Sequence, residues 1–198
     1  MAAVIGTTAL VLAGCGEGGD DGAVVEETSA AAEAGAGSRA VLQDAEGTEV
    51  GSVSFSEVSA GTEVVAEVQG LEPGFYGLHV HTTGLCEPDS SAPDDPGSTG
   101  AFLSAGGHLG GEDADHPDHA GDLPALLVTE DGLGFLTTVT DRFGVQDLVA
   151  DDDGSAVMIH SDPDNHANVP ERYAPDGPDE DTLGTGDAGS RLACGVVE

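Results

Sequence analysis

The sequence predicts an all-β domain, a sandwich or a barrel, and three observations carry that prediction. Short segments rich in Val, Leu, Phe and Thr recur at 39–43, 48–55, 62–69, 75–81, 125–129, 133–140, 156–160 and 192–197. Breakers such as Gly61, Gly70 and Glu130-Asp131-Gly132 separate them, and no long amphipathic helix pattern intervenes. Many short strands with turn signals between them point to a sandwich or barrel rather than to βαβ units.

The first element in order is an apolar stretch over residues 1–14, ending at Cys15. It is too short to span a bilayer as a helix and reads as the apolar region of an export signal. Leu12-Ala13-Gly14-Cys15 resembles the lipobox of bacterial lipoproteins, in which the cysteine is lipidated and becomes the new N-terminus. The basic segment that usually precedes such a stretch is missing, since the first cation is Arg39. Residues 15–38 are Gly, Ala, Glu, Asp and Ser with little to bury, the composition of a flexible, self-repelling tether. The folded domain is therefore expected over 39–198, a length suited to one core. With 4% aromatics and no Trp, that core must rely on Val, Leu, Ala and Ile.

Charge excludes whole classes of partner. The 198 residues hold 38 acidic side chains against four arginines and no lysine, a net charge of −34. Nucleic acid needs Lys and Arg to neutralise phosphates, and anionic lipid headgroups need a basic patch. Neither is available. The acidic coat gives a strongly solvated surface and also fits a high-salt habitat.

The strand 75–81 holds the most pointed local signal. Phe75-Tyr76-Gly77-Leu78-His79-Val80-His81 places two imidazoles at i and i+2 of an apolar run. Residues two apart on a strand share a face, so His79 and His81 aim at one point, half of a transition-metal site. Two connections, 82–124 and 161–191, are far too long for hairpins, and loops of that length in a compact domain are usually functional. They carry further candidates: His108 after Gly106-Gly107, His116 and His119 with Asp122 close behind, and Asp164 four residues past His160. Arg191 and Cys194 close the chain in Gly186-Asp187-Ala188-Gly189-Ser190-Arg191-Leu192-Ala193-Cys194-Gly195. All seven histidines fall between residues 79 and 166.

In this order, over about 38–198, these segments resemble the Cu/Zn superoxide dismutases, specifically the secreted bacterial branch. The resemblance rests on Gly77-Leu78-His79-Val80-His81, Gly106-Gly107-His108, His119-Ala120-Gly121-Asp122-Leu123, Ile159-His160 and Thr185 to Gly195. It implies an eight-stranded antiparallel Greek-key barrel, an immunoglobulin-like sandwich with two long functional loops. It implies copper on His79, His81, His108 and His160, and zinc on His108, His116, His119 and Asp122, so that His108 bridges the two metals. Asp164 then resembles the carboxylate that links a copper histidine to a zinc histidine, and Arg191 the guanidinium that docks the superoxide anion. His166 has no counterpart among the ligands.

The implied activity is dismutation of superoxide to dioxygen and hydrogen peroxide, with Arg191 and His108 as the catalytic pair. The stretch between His116 and His119 is shorter than is usual in the family. Two alternatives therefore accompany the reading: a copper-only dismutase with a degenerate zinc site, and a non-catalytic copper-binding protein on the same fold. Three cysteines leave one unpaired; with Cys15 lipidated, Cys86 and Cys194 match the family's disulfide. The expected location is extracytoplasmic, lipid-anchored to the cell envelope, with membrane contact only through that anchor. The assembly is left open, a homodimer being the form considered.

Overall fold

The computed structural model of the chain describes residues 37–112, 114–150 and 152–198; the segment 1–14, Cys15 and the tether up to residue 36 lie outside the described residues. Strands β1 (Ser38–Asp44), β2 (Glu49–Val58) and β3 (Gly61–Gln69) form an antiparallel meander. Their side chains alternate as a half-buried sheet requires: Ala40, Leu42, Val53, Phe55, Val64 and Ala66 face the core, while Glu67 and Gln69 face solvent. Strands β4 (Gly74–Tyr76) and β5 (Leu78–His81) follow, separated by Gly77 alone. The first long loop contains a small sheet of its own, β6 (Ser90–Ser91) with β7 (Thr99–Gly100). After it come β8 (Leu126–Val128), β9 (Leu133–Thr140) and β10 (Ala156–His160). The second long loop carries the short helix α1 (Glu180–Thr185) before β11 (Arg191–Val196). No helix among the described residues is long and apolar enough to cross a membrane.

The main sheet is antiparallel throughout, in the order β4-β8-β9-β3-β2-β1-β11-β10-β5. Its two edge strands, β4 and β5, are consecutive in sequence, so the sheet curls into a nearly closed barrel. The strand count differs from the expected eight: the run 75–81 is two strands, giving nine in this sheet. The cause lies at Gly77. Its N–H donates to Asp162 O and its carbonyl accepts from the His160 N–H, both at 2.9 Å. The chain thus changes partners there, from β8 on one side to β10 on the other. A Cβ at Gly77 would stand 2.7 Å from Ala188 Cβ, so glycine is what lets the second long loop close on this corner.

The edge of β5 left open by this switch is covered by the first long loop. Leu109 N–H donates to Val80 O at 2.8 Å and Val80 N–H to Gly121 O at 2.9 Å. Every residue of β5 and β10 is buried, so both faces of these strands are covered, which explains their continuous apolar runs. Leu78, Val80, Val157 and Ile159 fill the barrel, while Met158 and Ala156 pack outward with Phe102, Ala105 and Cys194. The Cys86–Cys194 disulfide fastens this second cluster, with a Cα–Cα distance of 5.6 Å and a sequence separation of 108. Closing a loop of that length removes about 4–5 kcal/mol of chain entropy from the unfolded state. Such a bond persists in an oxidising, extracytoplasmic compartment.

Candidate metal centre

Every sequence-predicted ligand within the domain converges on one buried region. His79 and His81 project from the face of β5 opposite the core, His160 from the end of β10, and His108 from the loop bridged to His81. All four are buried, with exposures of 0–4%. One nitrogen from each lies within 4.8 Å of one from every other.

The second nitrogen of each ring is held by the protein, and this selects the atom left free. His79 Nε2–H donates to Asp164 Oδ2 at 2.8 Å. His81 Nδ1–H donates to Gly106 O at 2.9 Å, and His160 Nδ1–H to Gly189 O at 3.4 Å. A carbonyl only accepts, so the ring nitrogen facing it carries the proton and the other keeps its lone pair. His81 Nε2 and His160 Nε2 then face each other at 3.4 Å. His108 Nδ1 lies 2.8 Å from Asp122 Oδ1. His79 Nδ1 and His108 Nε2 are buried without a hydrogen-bond partner among the described residues. Orphaned buried nitrogens are costly, and a transition-metal ion is the group that would satisfy several at once.

A second constellation shares His108. His116 Nδ1 is 2.9 Å from Asp122 Oδ2, and His119 Nδ1 is 3.2 Å from both His108 Nδ1 and Asp122 Oδ2. Zinc–nitrogen bonds of about 2.0–2.1 Å in a tetrahedron separate ligand atoms by about 3.3 Å, so this three-nitrogen, one-carboxylate set fits zinc. His79 also lies within 4.8 Å of His108, His116 and Asp122. Its Nε2 is taken by Asp164, though, and its single free nitrogen belongs with the first group. His116 falls within the zinc-type set despite the short segment before His119.

Asp164 ties the two groups together. Its carboxylate accepts from His79 Nε2 and His116 Nε2, each at 2.8 Å, and from the His166 N–H at 2.7 Å. The His166 side chain is 45% exposed and its ring stacks on that of His116, 6.1 Å between centroids. It forms a third, more exposed grouping with His116 and Asp164, both of whose relevant atoms are already paired with one another. Arg191 is directed at the first group by two bonds, Nη1–H to Phe102 O and Nη2–H to Gly106 O. The opening that reaches His81, His108 and His160 is walled by Thr99, Leu103, Thr185, Ser190 and Arg191, with no carboxylate among the described residues of its lining.

Electrostatics follow from burial and from these pairings. Burial pushes His108 down to about 4 against the pull of Asp122, and His160 down to about 2, with neighbouring imidazoles adding to the effect. His81 is driven well down by the same causes. Burial also opposes the charged form of His116, but hydrogen bonds and charge from Asp122 and Asp164 outweigh it and raise this ring to about 9. Both carboxylates are also opposed by burial, yet their imidazole partners hold them far below the ordinary range. The neutral imidazoles of the first group and the charged carboxylates are already in the states that metal ligation requires. His116, held protonated by its two carboxylate partners, must instead release a proton before Nδ1 can bind a metal. Burial lowers the Arg191 guanidinium from its ordinary value while Asp94 works the other way.

Several contributors carry no signature in the sequence. The carbonyls of Gly106 and Gly189 choose the ring nitrogens, and a backbone carbonyl leaves no mark beyond a glycine in a long loop. Arg142, whose guanidinium grips the loop between His116 and His119, was visible only as one of four cations.

Comparison with known proteins agrees with this geometry. The profile of the copper/zinc superoxide dismutase (SODC) family matches residues 49–197. The chain is 43% identical over 164 residues to a Cu-Zn superoxide dismutase of Mycolicibacterium paratuberculosis, covering 79% of this chain and 71% of the relative. It is 44% identical over 160 residues to that of Mycobacterium tuberculosis (77% and 66%). With the Escherichia coli enzyme it shares 34% over 158 residues (77% and 80%). Among solved structures, the Cu/Zn superoxide dismutase of Brucella abortus superposes with a TM-score of 0.61 at 29% identity, covering 82% of this chain and 100% of that one. Fold, buried histidine cluster and family profile coincide over the same residues, and the chain belongs to the copper/zinc superoxide dismutase family.

Proposed function

We propose that His79 Nδ1, His81 Nε2, His108 Nε2 and His160 Nε2 hold copper, that His108 Nδ1, His116 Nδ1, His119 Nδ1 and Asp122 hold zinc, and that Arg191 docks superoxide. The observation that carries this reading is the set of tethers on the opposite ring nitrogens, which leaves one unclaimed nitrogen per ring pointing at a common centre. Copper, when bound, supplies the one-electron chemistry that oxidises one superoxide to dioxygen and reduces the next to peroxide, and zinc supplies a fixed charge on the far side of His108. The remaining work belongs to the chain. Arg191 offers a planar fork whose charge does not titrate, with three of its five N–H groups left for a small anion after the bonds to Phe102 and Gly106. His108 Nε2 is the atom at which a proton is held for delivery to the reduced product. Asp164 keeps His79 and His116 in one orientation, so neither metal site can shift without the other.

We further infer that Cys15 carries a lipid anchor, supported by the lipobox-like Leu12-Ala13-Gly14-Cys15 and by the acidic, glycine-rich tether behind it. A homodimer is proposed through the outer faces of β4, β8 and β9, where Phe75, Leu127 and Phe135 stand side by side and are 46–64% exposed; exposed apolar ladders of this kind mark contact surfaces.

The test is metal analysis of the purified protein combined with a superoxide-decay assay. About one copper and one zinc per chain with dismutase activity is expected. Copper without zinc supports the copper-only alternative, and bound copper without activity the non-catalytic one. Mass spectrometry of the mature N-terminus and sedimentation velocity test the anchor and the dimer.

A further inference from the structure

We propose that Arg142 is a positioning residue for zinc, a guanidinium clamp that makes the short segment between His116 and His119 able to present both rings to one ion. Nη1 donates to Pro117 O at 2.6 Å and to His119 O at 2.9 Å, and Nη2 donates to Asp118 Oδ1 at 3.2 Å. The proposal rests on the assignment of His116 and His119 to zinc.

Only two residues, Pro117 and Asp118, separate the two histidines. Both rings must nonetheless turn inward toward Asp122, which leaves the carbonyls of Pro117 and His119 outside the cluster. One nitrogen binding both carbonyls fixes the backbone on either side of Asp118 at once. This stretch belongs to no strand or helix. Its other bonds run from the His116 N–H to Leu183 O, the Asp118 N–H to Asp115 O, the His119 N–H to Asp122 Oδ2 and the Asp122 N–H to His119 O. Arg142 adds the side-chain donor that joins the Pro117 and His119 carbonyls to the barrel wall.

Arg142 is well placed to act as a strut. It follows the end of β9, and its own N–H donates to Thr140 Oγ1 at 3.2 Å. The next residue, Phe143, is buried in the barrel core, meets Phe55 edge-on at 6.2 Å between centroids, and accepts a hydrogen bond from Thr62 Oγ1. The clamp therefore has its base in the barrel wall and its grip on the loop.

Charge argues that the carbonyl bonds matter more than the ion pair. The Asp118 side chain is 77% exposed, and an ion pair so exposed to water contributes little. In a chain with 38 acidic residues and four arginines, one guanidinium spends two of its N–H groups on neutral carbonyls of the loop between two predicted ligands. A lysine ammonium lacks the planar fork that reaches all three acceptors.

The test compares metal release from the copper- and zinc-loaded wild-type protein with Arg142→Ala, Arg142→Lys and Asp118→Asn, using a chromophoric zinc chelator and a copper chelator in parallel. Partners that orient ligands typically change metal affinity by about 10–100-fold, and Arg142→Ala is expected to release zinc faster by that factor, with copper release within about twofold of wild type. Asp118→Asn keeps both carbonyl bonds and should release zinc within about threefold of wild type. Arg142→Lys should fall between and serves as the readout if the alanine variant does not fold. Zinc release from Arg142→Ala at the wild-type rate overturns the proposal, as does equal acceleration of both metals, which would mean general loosening. A wild-type protein that takes up no zinc at these residues overturns the underlying assignment and this inference together, whereas wild-type zinc with unresponsive Arg142 variants overturns only the latter.

Discussion

Arg191 stands directly across the ladder from His160, although Ile159 pairs with Ala193, because Leu192 is an extra residue that β10 does not match. Such a bulge re-aims a side chain, here bringing the guanidinium beside the histidine at the end of β10. The Gly106 carbonyl then holds both Arg191 and His81. Removing the guanidinium should cost the anion its docking point without touching a metal ligand. A hydrogen bond to a charged group is worth about 1.5–3 kcal/mol, so Arg191→Ala should lower kcat/KM by about 10–100-fold at unchanged copper content. Arg191→Lys keeps the charge but not the fork and should lie between. Superoxide decay followed beside copper analysis checks this; wild-type catalysis in Arg191→Ala would remove the guanidinium from the mechanism.

Gly186 packs against the bond between Asp164 and His116. A Cβ there would overlap Asp164 Oδ1 and come within 2.5 Å of His116 Nε2, and the backbone is left-handed, with φ of 65°. Gly186→Ala should therefore part the carboxylate from His116, with about 1–2 kcal/mol of backbone strain added. Zinc affinity should drop by about tenfold or more, the range found when such supporting contacts are lost. Competition with a chelator of known zinc affinity decides it, and unaltered zinc retention would show that Asp164 does not position His116.

Superoxide is an anion and the chain carries −34. The loop before Arg191 is itself acidic, with Asp176, Asp179, Glu180, Asp181 and Asp187, and a groove beside the channel holds Asp94, Glu112, Asp115 and Asp153. Salt shortens the reach of these charges, from a Debye length of about 10 Å at 0.1 M to about 3 Å at 1 M. The short-range pull of Arg191, in a channel whose described lining carries no carboxylate, is screened far less. Activity should hold or rise as NaCl increases from about 0.05 to 0.5 M. A steep fall over that range would mean that long-range attraction operates after all.

Much of this architecture was legible from residue order. Alternation in 62–69 and 133–140 gave β3 and β9 almost to the residue, because one face of each meets the core and the other meets water. The histidine pair of β5 was legible for the same reason. Gly77 was not, since the partner switch depends on hydrogen bonds to His160 and Asp162, far along the chain. The bulge at Leu192 is a matter of register between two strands, which neither strand encodes alone. The grip of Arg142 on the backbone between His116 and His119 is equally invisible in residue order, because it depends on a side chain 23–25 positions further along the chain.

The buried histidines also set how the metal-free protein responds to acid. His108 and His160 titrate in the fold at about 4 and about 2, below the unfolded value of about 6.5. Below that unfolded value the unfolded chain binds protons that these folded rings refuse, so stability falls as pH drops, by up to about 1.4 kcal/mol per pH unit per histidine. His116 acts at the other end: its value is raised to about 9, so its contribution is complete below about 6.5 and is lost as pH climbs through about 9. The depressed Asp122 and Asp164 contribute fully above the unfolded carboxylate value of about 3.9 and lose that contribution progressively as pH falls below it, completely only once their folded forms protonate. Denaturant titrations of the apoprotein should therefore show stability falling from about pH 6.5 toward 4. Replacing His160 with Gln, which does not titrate, should flatten that slope. An apoprotein equally stable at both ends of that interval would mean that these rings are not held neutral by the fold.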